Sequence, residues 1–411
     1  MMGSNYNLSV SNFADIMGVS RRTATMWVEK GVYKARKAQD GTLLLNTEDL
    51  KEVPQMREMV NSDWANEMRT KPERDYTSIE LFAGAGGLAI GMEKAGFKHL
   101  MLNEIDHDAC RTLLRNRPEW HVAEGDVRKV DFSRFKDKID LVTGGFPCQT
   151  FSFAGKKAGF NDTRGTLFFE LTRAVKETNA KIFVGENVKG LASHDGGRTL
   201  KVIREAIADM GYTLVEPRIL HAIKYMVPQK RGRLILVTIR NDLAEKALFR
   251  WPSPYHRIMT LRDAFFKGEL YDCDTPTSVC ASYSEKKAKV LAQVPQGGDW
   301  RDLPEDVARE FMGVSYESEG GKTGMARRLS LDEPSLTLTC SPVQKQTERC
   351  HPTETRPLSV REYARIQTFP DDWIFEGSMA AQYKQIGNAV PVNLAWALGR
   401  ALVRLLNQLG C

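Results

Sequence analysis

Cysteine is scarce in this chain and falls into no pairing pattern. The seven cysteines among 411 residues are odd in number and irregularly spaced. That fits free thiols in a reducing cytoplasm better than a disulfide framework. No two stand at Cys-x2–4-Cys spacing, so the groupings Cys273/Cys280 and Cys340/Cys350/His351 are not expected to hold a metal. No apolar run reads as long enough to span a bilayer, and the polar N-terminus does not read as a signal peptide, so no membrane partner is expected. Internal repeats and low-complexity tracts are missing as well. Charge of one sign is not abundant. A net charge of +6 and a pI of about 8.8 permit a polyanionic partner without demanding one. With 42% hydrophobic and 27% charged residues, the composition is that of an ordinary globular protein of two or three domains.

What is present centres on Leu141-Val-Thr-Gly-Gly-Phe-Pro-Cys148-Gln149. The apolar run reads as a buried strand that Gly144-Gly145 ends, and Pro147 stiffens the turn that follows. Cys148 is thereby held at a strand's end, which is where open α/β sheets bind ligands. Taken alone, it reads more readily as a buried structural thiol than as a nucleophile. Its partners have to decide between the two.

From the N-terminus, residues 6–31 show a helix–turn–helix pattern. Ser11 is expected to cap a helix Asn12–Met17, Gly18 breaks it, and Ser20 caps a second helix Arg21–Lys30 that ends at Gly31. Arg21 and Arg22 open the second helix, where a recognition helix would meet DNA. A turn at Asp40-Gly41 and a strand Thr42–Leu45 would form a wing. A helical protein-contact module is the alternative for this region. Residues 51–75 read as a linker.

Strand–helix alternation then begins. Ile79, Leu81 and Phe82 form a strand, and Gly84, Gly86 and Gly87 make a tight turn into a helix Leu88–Ala95. Bare glycines let a ligand approach the backbone. Glu104 follows a second strand at the spacing of a ribose-binding carboxylate. Asp126 ends a third strand, where it could accept from an adenine amino group. Beyond Cys148, the segment Thr150–Lys157 reads as a loop able to close over a phosphate backbone, with Ser152 and Lys156 as DNA contacts. A strand Ile182–Val184 delivers Glu186 to the same sheet edge. Gln229, Arg231 and Arg233 alternate, which puts all three on one face, suited to a carbonyl oxygen and phosphates or else forming a solvated basic edge.

In this order the pieces resemble the DNA cytosine-5 methyltransferases from about Thr77 to Leu406. Phe82-Ala-Gly-Ala-Gly-Gly is similar to the family's cofactor loop, Gly145-Phe-Pro-Cys148-Gln to its nucleophile loop, and Arg164-Gly-Thr-Leu167 to a further cofactor-side element. Glu186-Asn-Val, Gln229-Lys-Arg231-Gly-Arg233, Arg361-Glu362 through Phe369-Pro370, and Gly387-Asn388-Ala-Val390-Pro match later motifs. The resemblance implies an α/β, doubly wound Rossmann-like methyltransferase sheet with a smaller irregular target-recognition domain and the N-terminal helical module. It implies domains at 1–50, 76–250 with 375–411 (catalytic), and 251–374 (target recognition).

It further implies methyl transfer from S-adenosyl-L-methionine to C5 of a flipped-out cytosine in double-stranded DNA, with Cys148 adding to C6, in a modification enzyme of a restriction–modification system. Glu186, Arg231 and Arg233 would be catalytic beside Cys148. Phe82, Ala83, Gly84, Gly86, Gly87, Leu88, Glu104, Asp126, Pro147, Leu167, Asn388 and Val390 would hold the cofactor. Gln229, Arg327, Gln344 and Arg349 join Ser152, Lys156, Arg21 and Arg22 as DNA-contact candidates. The expected setting is the bacterial cytoplasm, as a monomer when methylating. An operator-binding, autoregulatory role, with a dimer on the operator, is the added reading of the N-terminal module. A nucleotide-dependent oxidoreductase would explain Gly84 and Glu104 but give Cys148, Glu186 and Arg233 no shared task. A non-enzymatic DNA-binding regulator would explain residues 6–45 and little else.

Overall fold

A computed structural model describes residues 6–38, 41–146, 167–317 and 322–410. In chain order the N-terminal elements are β1 (Tyr6–Ser9), α1 (Val10–Met17), α2 (Arg21–Glu29), β2 (Ala35–Lys37), β3 (Leu43–Asn46), α3 (Pro54–Val60) and α4 (Trp64–Glu67). Next come β4 (Tyr76–Leu81), α5 (Gly87–Ala95), β5 (Phe97–Glu104), α6 (His107–Asn116), β6 (Val122–Glu124) and β7 (Leu141–Gly145). After the undescribed stretch follow α7 (Leu167–Thr178), β8 (Ile182–Val188), α8 (Arg198–Asp209), β9 (Tyr212–Leu214), β10 (Arg218–His221), β11 (Gln229–Lys230) and β12 (Gly232–Arg240). The remainder holds α9 (Asn241–Ala244), α10 (Leu261–Phe265), α11 (Glu285–Leu291), α12 (Glu305–Met312), β13 (Ser335–Leu336), α13 (Val360–Ile366), α14 (Met379–Asn388) and α15 (Val392–Leu409).

The chain divides into two compact units. One comprises residues 1–66, 222–231 and 253–368, and the other 67–221, 232–252 and 369–411. The second unit is built on an eight-stranded sheet in the order β10-β12-β8-β7-β4-β5-β6, with β9 also paired to β12. Strands β6, β5, β4, β7 and β8 run parallel, and β12 is antiparallel to β8. Strand order reverses between β4 and β7, so their carboxyl ends open the crevice in which such sheets bind ligands. Ile79, Leu81, Met101, Val142, Phe168, Leu171 and Phe183 form the core beside the sheet. Helix α15 closes on α5 through glycine. A β-carbon added at Gly91 would lie 2.3 Å from that of Ala395, and one at Gly399 2.7 Å from that of Ala95.

That packing corrects one expectation. The stretch Met379–Leu409 is long and apolar enough to cross a bilayer, with a mean hydropathy of 1.3, yet 83% of its most apolar window is buried within the chain. Its apolar surface serves the protein core.

In the first unit α1 starts earlier than expected, because Ser9 rather than Ser11 accepts from the Asn12 amide. Ser20 caps α2 through the Thr23 amide, as expected. Strand β3 pairs antiparallel with both β1 and β2. Residues 51–75, expected as a linker, carry α3 and α4, with Met56 and Met59 buried against the core of α1 and α2.

Burial places one acid under strain. Glu80, in the middle of β4, is 1% exposed and accepts a hydrogen bond from Thr143 Oγ1 at 3.3 Å. Burial pushes its pKa up to about 8. A carboxyl raised in the folded state adds no penalty below its unfolded pKa, and stability is lost as pH rises through the folded value. We expect the wild type to lose about 3 kcal/mol relative to Glu80→Gln between pH 5 and pH 8, since each pH unit between the unfolded and folded pKa values costs roughly 1.4 kcal/mol. Denaturant titration across that range measures it.

Candidate active site

The turn after β4 is shaped by its backbone angles. Phe82, Gly84 and Gly86 all have positive φ, at 58°, 54° and 87°. The three glycines serve different purposes. A β-carbon on Gly84 would meet nothing within 4 Å, so its bare backbone faces open space. One on Gly86 would lie 2.8 Å from the Leu113 side chain, and one on Gly87 2.2 Å from the Val390 carbonyl oxygen. Gly86 and Gly87 therefore seat the turn against its neighbours, and the backbone around Val390 lies directly on Gly87. Ala83 and Leu88 are buried in this turn, and Asn388 is exposed at the end of α14. Leu167 begins α7 half-buried.

Glu104 ends β5 at the same edge. Its Oε2 accepts from the Gly84 amide at 2.7 Å, and its Oε1 from the Ile105 and Asp106 amides at 2.8 Å each. A carboxylate has about four lone-pair sites, so one remains for a hydroxyl group. Asp126 caps the short turn after β6, where Arg128 grips both its oxygens. That hydrogen bonding holds its pKa down at about 2, so it is an anion at any working pH. Ile105 was missed in the sequence. It is a large apolar side chain 69% exposed, directly beside Glu104. An exposed aliphatic chain, a carboxylate with a spare lone pair, an ionised acid and a bare glycine backbone together suit a nucleoside. Only the position of Ile105 after the strand-end acid could have signalled it.

On the other side of the reversal, β8 runs further than expected, so Glu186 lies within the strand rather than beyond it. It is registered against Gly145 of β7 and Ile235 of β12. Arg233 is registered against Val188, two residues along β8, and so lies diagonal to Glu186. Its Nε meets Glu186 Oε1 at 2.7 Å, with both side chains only 12% exposed. A β-carbon on Gly145 would come within 2.9 Å of Glu186 Oε2, so the carboxylate lies over that glycine. Asn187 Nδ2 donates to the Phe146 carbonyl at 2.8 Å and pins the chain just before Pro147. Pro147, Cys148, Ser152 and Lys156 lie outside the described residues.

The alternating Gln229, Arg231 and Arg233 do not share one face. Chain pairing changes between them: Gln229 and Lys230 pair in parallel with β13 in the first unit, whereas Arg233 belongs to β12 of the second. Gln229 is fully buried. Its amide nitrogen donates to Gln367 at 2.8 Å and its oxygen accepts from the Leu338 amide at 2.9 Å, so both ends of a candidate DNA contact are used internally. Arg231 is 2% exposed and donates to the Leu338 carbonyl. Arg349 is likewise buried, donating to the carbonyls of Glu348 and Thr337, and burial lowers its pKa to about 10. Arg327 is mostly covered, 3.6 Å from Asp299. Of these candidates Gln344 is exposed, as are Arg21 and Arg22 on α2. Polar side chains at these buried positions fasten irregular loops, a role that composition alone does not separate from base reading.

Residues 76–404 match the sequence profile of the C-5 cytosine-specific DNA methylases. The chain belongs to that family. It is a DNA cytosine-5 methyltransferase. It is 58% identical to the Type II methyltransferase M.Eco47II of Escherichia coli, over 98% of this chain and 96% of that protein. It is 54% identical to the Type II methyltransferase M.PspPI of a Psychrobacter species, over 98% and 97% of the two chains. In fold it is similar to the crystal structure of a Spodoptera frugiperda DNMT2 mutant, with a TM-score of 0.55 and 17% identity, covering 82% of this chain and all of that one.

In this methyltransferase Glu104 fastens the glycine turn to the end of β5. Glu104→Ala leaves three backbone amides without their acceptor. We expect a loss of about 2–4 kcal/mol in stability and at least tenfold weaker binding of S-adenosylmethionine. Thermal unfolding and calorimetric titration of the cofactor measure the two effects.

Proposed function

We propose that this enzyme methylates C5 of a cytosine flipped out of double-stranded DNA through a transient bond between Cys148 and C6, as the modification partner in a restriction–modification system. The observation that carries the reading is the ion pair of Glu186 and Arg233 lying over Gly145, three residues before Cys148. An acid and a guanidinium held together, mostly out of water, suit a ring with an amino group, a ring nitrogen and a carbonyl in a row.

The chemistry follows from the weakness of C5 as a nucleophile. The Cys148 thiolate forms a bond to C6, and the displaced electron pair is accommodated as N3 takes a proton from solvent, relayed through the Glu186 carboxyl group. Arg233 donates to the O2 carbonyl, so charge does not build up on the ring. S-adenosylmethionine, when bound, supplies an electrophilic methyl group on a sulfonium. Loss of the C5 proton to a base, breakage of the Cys148–C6 bond and return of the N3 proton to Glu186 then restore the aromatic ring. The residues that would hold the cofactor are Glu104 at the ribose, Asp126 at the adenine amino group and Ile105 against the base. The Gly84 backbone and the segment Asn388–Val390 complete that set. Flipping the base costs a few kcal/mol. The restriction–modification setting is supported by the 58% and 54% identity to Type II methyltransferases over nearly the whole chain.

The test needs no knowledge of the target site. A long duplex in which every cytosine is 5-fluorocytosine, incubated with enzyme and S-adenosylmethionine, is expected to yield a covalent adduct on the Cys148 peptide, detected by mass spectrometry. Cys148→Ala is expected to give none and to lose methyl transfer by at least about 10³-fold. Undiminished transfer by Cys148→Ala would sink the mechanism.

A further inference from the structure

The family match begins at residue 76. A complete methyltransferase fold is matched by 82% of this chain, whereas two relatives are matched over 98% of it. The N-terminal elements are therefore an addition to the shared fold that some relatives also carry. They pack within the first unit. Helix α1 buries Val10, Phe13, Ala14 and Ile16, and its cluster includes Ile223 and Ile258. Asp15 meets Lys230 at 2.9 Å, and Ser11 donates to Glu333 at 2.9 Å. Lys230 lies between Gln229 and Arg231, so the module is fastened to the arginine-bearing segment itself.

Helix α2 packs Ala24, Trp27 and Val28 against the same cluster and leaves its opposite face outward. Arg21, Arg22, Lys30, Lys34, Arg36 and Lys37 are all exposed. Between residues 6 and 38 the acids are Asp15 and Glu29, and Asp15 faces inward to Lys230. Among the described residues no carboxylate pairs with Arg21 or Arg22, although many surface arginines of this chain have such partners, among them Arg57, Arg111 and Arg309. Arg21, Arg22, Thr23 and Thr25 line one surface concavity, with Met26 and the single acid Glu29. Guanidinium and hydroxyl groups on an outward face are the donors that bind phosphate oxygens.

We propose that α2 and the segment Lys34–Lys37 form a second DNA-binding surface that grips the phosphates of the duplex flanking the methylated site. The proposal rests on the enzyme's action on duplex DNA. Because the module is packed into the unit that carries Gln229–Arg231, it acts with the target-binding unit on one duplex and not as a tethered, independent binder. Its effect is a longer footprint and a steeper salt dependence.

The test uses the full-length enzyme and a cytosine position mapped by sequencing 5-methylcytosine in exposed DNA. Fluorescent duplexes of 14 and 40 base pairs carry that position at the centre, and a second 40-mer lacks it. Wild type is expected to bind the 40-mer with the site at least tenfold more tightly than the 14-mer. In Arg21→Ala/Arg22→Ala that ratio is expected to fall severalfold, and the slope of log affinity against log salt on the 40-mer to drop by about two. An unchanged ratio and slope in the variant would overturn the proposal. So would tight binding to the site-less 40-mer that depends on Arg21 and Arg22, because the module would then bind DNA on its own, as an operator-binding element would. Failure to find any 5-methylcytosine would overturn this proposal and the enzymatic reading together.

Discussion

The contact between Glu186 and Arg233 constrains the sheet around it. Each is a charge that would be costly to keep so far from water alone, and each meets its partner across the antiparallel pairing of β8 and β12. Removing one partner takes from the other the opposite charge that offsets its burial, so the pair behaves as a unit. The neighbouring strand has to yield space. Gly145 has no side chain, and the Glu186 carboxylate occupies the room that a β-carbon would take. A glycine that ends β7 and a carboxylate that rises from β8 are thus one feature, fixed by the register Gly145↔Glu186.

The reversal of strand order between β4 and β7 places the nucleoside-suited groups on one side and this ion pair on the other. Glu104 ties the turn after β4 to the end of β5 through three backbone amides. The segment around Val390 lies against Gly87, which is why a motif more than 300 residues later in the chain belongs to the same unit. Sheet topology and close glycine contacts bring distant sequence motifs into a single working edge.

Much of this edge was legible in the sequence. The β4 turn, Glu104, Glu186 and Arg233 carry side-chain types and spacings that few folds other than a doubly wound sheet would use together. Three features were not legible, each for a physical reason. Period two assigned Gln229, Arg231 and Arg233 to one face, but alternation holds only within a strand, and the pairing changes at Gly232. Arg349 and Gln229 read as DNA contacts, but buried irregular loops also need polar side chains to satisfy their backbone, and these two do so. Ile105 escaped notice because a single isoleucine ordinarily signals core, and exposure is not written in one residue.

The central claim is that Glu186 and Arg233 act on the cytosine ring as one device. A double-mutant cycle on the single-turnover rate of methyl transfer tests it most directly, with Glu186→Gln, Arg233→Met and the two combined. Each single change is expected to slow transfer by about 10²–10⁴-fold, and the double variant to be little slower than the worse single one. Losses that simply multiply in the double variant would show two independent groups and contradict the account.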